Sequence, residues 1–127
     1  MKKLLAAFVF LSLVTALVVA CGGSSTSGGG NATVHMGDTN FLQPSITISK
    51  GSRVTLTDDS AATHIITNGS WVNGNPQPMQ ENGAPVVNNV QFSGSGSSQT
   101  IGPFNTTGTF HLYCTVHPGM NLTVIVQ

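Results

Sequence analysis

Between Cys114 and Met120 the chain sets a cysteine, a histidine and a methionine on one short loop, as Cys-Thr-Val-His-Pro-Gly-Met. A thiolate, an imidazole and a thioether are soft and borderline donors. With a second imidazole from elsewhere they compose a trigonal His2Cys site with a long axial methionine, a donor set that suits copper in a one-electron carrier. Other chemistries use less of the loop. A cysteine nucleophile with a histidine base would leave Met120 and a second histidine without a task. Zinc could take a cysteine and two histidines but gains little from a thioether, and a binuclear copper centre would need two cysteines on the loop, where this chain has one. Met120 follows Pro118-Gly119, a turn rather than a packed strand, so simple gap filling does not explain its place.

Such a loop needs a rigid frame. Phe110, Leu112 and Cys114 alternate with His111 and Tyr113, the pattern of a strand with one buried face. Cys114 thus ends a core-facing row and His111 points away from it. Further short alternating or apolar runs lie at 33–36, 45–49, 53–57, 64–67, 86–92, 98–101 and 121–126, separated by Gly, Pro, Asn and Asp, with no helical period of useful length. This predicts an all-β domain over residues 31–127, a two-sheet Greek-key β-sandwich of seven to eight strands with one core. The segment 68–97, with prolines at 76, 78 and 85, reads as long surface connections around one edge strand.

The first 30 residues have a different composition. A basic Met1-Lys2-Lys3 precedes an apolar run of 16 residues from Leu4 to Val19, shorter than the roughly 20 needed to span a bilayer. Residues 1–20 therefore read as a signal peptide. The run ends Val18-Val19-Ala20-Cys21, which resembles a bacterial lipobox and implies that Cys21 becomes the lipid-carrying N-terminus. With Cys21, the Gly/Ser/Thr stretch 22–30 forms a flexible linker spanning on the order of 16 Å, so the domain is expected outside the cytoplasm, tethered by lipid to a membrane. Only Lys50 and Arg53 then remain against Asp38, Asp58, Asp59 and Glu81, which leaves no basic footprint for nucleic acid. If Cys21 is lipidated, Cys114 has no disulfide partner, and metal ligation accounts for a lone thiol in an oxidising compartment. His35 and His111 read as surface histidines, and Met36 and Met79 as packing or surface residues.

The Cys-x-x-His-x-x-Met spacing after an aromatic-rich strand resembles the copper loop of cupredoxins, most closely the plastocyanin and amicyanin branch. The resemblance covers most of the chain after about Asn31. It implies one more histidine upstream, and His64 matches, because Asp58-Asp-Ser-Ala-Ala-Thr-His-Ile-Ile-Thr67 resembles the family's polar turn followed by a ligand histidine and an apolar strand. Phe41 to Gly51 resembles the second strand and its turn, and a tryptophan placed like Trp71 recurs in the family. The resemblance implies one type 1 copper held by His64, Cys114, His117 and Met120, with no catalytic residues. The expected function is that of a monomeric one-electron carrier between extracytoplasmic or membrane redox partners, not an enzyme. A copper storage or delivery lipoprotein, which would share the ligands, is the alternative.

Overall fold

The computed structural model describes residues 31–127, so the expected signal peptide over 1–20, the expected lipidation at Cys21 and the expected linker lie outside the described residues. Nine strands follow in order: β1 (Ala32–Met36), β2 (Ser45–Ile48), β3 (Val54–Asp58), β4 (Thr63–Val72), β5 (Asn75–Pro78), β6 (Val90–Ser93), β7 (Ser98–Ile101), β8 (Gly108–Cys114) and β9 (Asn121–Val126). They form two sheets. One has the order β1-β3-β7, with β1 and β3 parallel. The other runs β2-β9-β8-β4-β5, with β6 on β4 as well and β2 parallel to β9.

Period-two alternation turns one row of each strand into the space between the sheets. Val34, Met36, Val54, Leu56 and Ile101 come from the first sheet, and Ile66, Leu112, Cys114, Leu122, Val124 and Val126 from the second; together with Phe92, Phe104 and Phe110 they make one core cluster. The expected all-β sandwich is the architecture found. On β8 the one-face expectation needs correction, since Tyr113 is buried as well as Phe110, Leu112 and Cys114. Its outer face is covered by Trp71, whose ring meets Tyr113 edge-on at 5.9 Å.

Segment 68–97 also holds more structure than its composition implied. β4 runs on to Val72 and turns back through Asn73 and Gly74, both with positive φ, into β5, in the register Val72 with Asn75. Asn-Gly is the preferred two-residue turn of this kind, and Pro76 and Pro78 are tolerated because β5 is an outer strand. β5 is the strand beyond the seven to eight expected. By contrast, only Val90 and the two residues after it extend the run expected at 86–92 into a strand. Val87 instead donates its N–H to the buried Asn68 side-chain oxygen at 2.7 Å and accepts from the Asn68 N–H at 2.9 Å, while Asn68 Nδ2 donates to the Pro85 carbonyl at 3.2 Å. One side chain thus stands in for a strand partner and docks the loop.

The hairpin depends on Gly69. Its φ is +123° and an added Cβ would collide with the Gln77 carbonyl oxygen. Gly69→Ala is expected to cost about 3 kcal/mol, combining backbone strain with overpacking. Urea unfolding of the metal-free domain measures it, and a cost below about 0.5 kcal/mol would show that the β4–β5 pairing yields freely.

Candidate metal centre

His64 is the second residue of β4, on the inward row with Ile66 and Asn68, and is fully buried. Cys114 is the last residue of β8, also fully buried, and lies opposite Ile66 across the β4–β8 pair. The adjacent strands therefore bring imidazole and thiol to the same end of the sandwich from 50 residues apart. Thr115 N–H donates to the Ile65 carbonyl at 2.9 Å, carrying the pairing into the loop.

The loop is closed by its own main chain. Cys114 N–H donates to the Met120 carbonyl at 3.0 Å, and Met120 N–H donates to the His117 carbonyl at 3.1 Å. These bonds fold His117 back beside Cys114 and place Met120, only 2% exposed, at the base of the loop. The result is a compact cluster. Cys114 Sγ lies 3.8 Å from His64 Nδ1 and 3.6 Å from His117 Nδ1, and one ligand atom from each of the three residues falls within 4.8 Å of the others. The imidazoles are tilted by 58° with centroids 4.9 Å apart. His117 is partly exposed, between the exposed Val116 and Pro118.

Burial pushes the His64 imidazole below its ordinary pKa; the carboxylate of Asp58 opposes that effect and His117 adds to it. The imidazole is thus held neutral at physiological pH, the form in which it can coordinate. Two imidazoles and a thiol gathered within 4.8 Å fit a soft or borderline ion such as copper.

Two supports were not legible from the motif. Trp71 Nε1–H donates to the Cys114 carbonyl at 2.8 Å, and Asn121 brackets the Trp71 main chain, accepting from its N–H at 2.7 Å and donating to its carbonyl at 3.1 Å. Behind His64, Ser60 and Asp58 are buried with it: Ser60 Oγ is 3.4 Å and Asp58 Oδ1 is 3.7 Å from His64 Nε2. The Asp-x-Ser turn that makes this arrangement was the only sequence signal for it. His35 and His111 stay apart from the cluster, paired with Asp59 at 2.8 Å and with Glu81 at 2.6 Å respectively.

Comparison with known proteins gives the same reading. The family described as copper binding proteins, plastocyanin/azurin family, matches residues 29–127. Among solved structures, amicyanin from Paracoccus versutus (Thiobacillus versutus) superposes with a TM-score of 0.52 at 23% identity, covering 76% of this chain and 81% of that one. A reduced amicyanin variant gives a TM-score of 0.54 at 20% identity over 79% of this chain and 85% of that one. These likenesses are of fold. No curated protein matches the chain.

Trp71→Phe keeps the ring over Tyr113 but removes the donor to the Cys114 carbonyl. The metal-free domain is expected to lose about 1–2 kcal/mol in denaturant unfolding. Equal stability of variant and parent would mean that the indole contributes only area.

Proposed function

This chain belongs to the copper-binding plastocyanin/azurin family, and from that premise we propose that it is a type 1 copper protein carrying single electrons between redox proteins outside the cytoplasm. The observation that carries this reading is the buried Cys114 thiol flanked by His64 and His117, with all three ligand atoms within 4.8 Å. A copper ion would be held by Cys114 Sγ, His64 Nδ1, His117 Nδ1 and Met120 Sδ, with the thiolate as the strongest donor and the thioether as the weakest. Bound copper would supply a one-electron couple between Cu(II) and Cu(I).

The chain's own contribution is constancy. His64 sits within a paired strand, Cys114 at a strand end, and His117 in a loop closed by two main-chain hydrogen bonds. A frame of this kind changes little with the metal's charge, which keeps the reorganisation on electron transfer small. The same rigidity favours electron carriage over copper delivery, which needs a ligand that lets go. Electrons would pass through the partly exposed edge of His117, bordered by Val116 and Pro118. Nothing is consumed, so no substrate pocket or proton donor is required.

Residues 1–30 complete the proposal, with a signal peptide over 1–20, lipidation at Cys21 and a linker to the domain from residue 31. No helix among the described residues is long and apolar enough to cross a membrane. On this reading the domain is held at a membrane face by its lipid, works as a monomer, and meets donor and acceptor proteins there.

Cys114→Ser is expected to abolish the intense visible band, because an alkoxide is a far harder donor than a thiolate. A Cys114→Ser protein that stays blue at one copper per chain would refute the ligand assignment. Met120→Leu should keep the colour and raise the potential, and Met120→Gln should lower it, since losing a weak thioether favours Cu(I) while an oxygen donor favours Cu(II). Spectroelectrochemistry decides. Unchanged potentials in both would reduce Met120 to packing.

A further inference from the structure

Behind His64 lies a carboxylate with no cation of its own. Asp58 ends β3, and its side chain is fully buried. Its Oδ1 accepts from the Ser60 N–H at 2.9 Å and from the Ser60 hydroxyl at 2.9 Å, the pattern of a carboxylate acceptor. Its Oδ2 is buried and has no hydrogen-bond partner among the described residues. No lysine or arginine among them forms an ion pair with it, and Arg53 is engaged with the Gly102 carbonyl. The neighbouring Asp59 has His35 as its partner. The group nearest to balancing the Asp58 charge is therefore His64, 3.7 Å away.

A buried carboxyl group with one oxygen unpartnered is costly. Nothing in the packing of the sandwich calls for it, since a neutral side chain could satisfy Ser60 equally well. The expense becomes intelligible if the positive charge appears when the site is loaded. We propose that Asp58, acting through Ser60 and His64, is the positioning residue that sets the balance between the two copper oxidation states. The inference rests on the type 1 copper reading above and deepens it.

Two effects act together. The first is orientation. Ser60 Oγ donates to Asp58 and accepts from the Ala62 N–H at 3.1 Å, so its remaining acceptor capacity faces His64 Nε2 at 3.4 Å. This places the imidazole proton on Nε2 and leaves the Nδ1 lone pair aimed at Cys114 Sγ. The second is charge. A site ligated by one thiolate and two neutral imidazoles carries one more positive charge when oxidised. A negative group held behind His64, where solvent screens little, stabilises that state more than the reduced one and lowers the potential. The electron comes from the partner or an electrode, and no bond is made or broken.

Three measurements test it. In the copper-free protein, ¹⁵N imidazole shifts should show His64 protonated at Nε2; a proton on Nδ1 overturns the orientation argument. In the copper protein, Asp58→Asn keeps an acceptor for Ser60 but removes the charge, so the blue band should persist while the equilibrium moves toward Cu(I) by about tenfold, about 59 mV for one electron. A shift below twofold, or toward Cu(II), overturns the proposal. Should Asp58→Asn fail to fold, Ser60→Ala carries the test, because it leaves the carboxylate with one donor fewer. The equilibrium should move toward Cu(II) by twofold or more and the copper hyperfine pattern should change; no change in either overturns the proposal. A protein that binds no copper defeats this inference and the type 1 reading together, whereas a blue protein indifferent to Asp58→Asn and Ser60→Ala defeats this inference alone.

Discussion

The structure depends on the pairing of Cys114 with Met120 across the loop that joins β8 to β9. Cys114 N–H reaches the Met120 carbonyl at 3.0 Å, and the six-residue step between them must then fold its remaining main chain within that closure. A buried thiol beside two imidazoles brings three electron-rich atoms together inside a core, with desolvation opposing any charge there. Left to local preferences such groups would turn toward water. They stay together because the backbone fixes where each begins: His64 by the β4–β6 pairs, Cys114 by β4 and by its bond to Met120, and His117 by the turn that Met120 N–H closes.

From that constraint the rest of the second sheet becomes intelligible. β4 is the longest strand, with ten residues, because it must serve the site at one end and carry a covering hairpin at the other. The hairpin brings Trp71 over Tyr113 and its indole N–H to the Cys114 carbonyl. That carbonyl is thereby satisfied without a strand partner, as a buried acceptor must be. Asn121, the first residue of β9, clamps the Trp71 main chain and so ties the strand after the loop to the strand that covers it. Asn68 does the same work for the 79–89 connection, which is pinned to β4 through four hydrogen bonds of the Asn68 side chain and main chain.

Charge is distributed sparingly. Among the described residues two basic side chains face four acidic ones, and three of the acids are each set against a histidine: Asp59 with His35, Glu81 with His111, and Asp58 with His64. The first two pairs are at least partly open to solvent, where such contacts contribute little. The third is sealed in the interior, against an imidazole whose other nitrogen faces the thiol. An acid–histidine contact thus serves twice as an ordinary surface pair and once as a buried pair behind the candidate metal centre.

Much of this was determined by the sequence itself. The softness and spacing of Cys114, His117 and Met120 specify a metal chemistry, because donor identity is a local property and a seven-residue loop keeps its donors close. Alternation on β1, β3, β8 and β9 likewise specifies the sandwich, since a period of two leaves only one way to bury the apolar row. His64 was reached more by family resemblance than by local chemistry, and only folding brings it to 3.8 Å from Cys114 Sγ, because a contact across 50 residues is decided by strand pairing and not by neighbours in the chain. The β5 hairpin was signalled by Asn73-Gly74 but hidden by its prolines, whose cost depends on being an outer strand. That Tyr113 is buried, that the Trp71 indole finds the Cys114 carbonyl, and that Asp58 rather than Asp59 faces inward behind His64 were decided by tertiary structure. Adjacent aspartates are the same residue to local chemistry, and only the register of β3 against β1 and β7 separates the one in the core from the one in water.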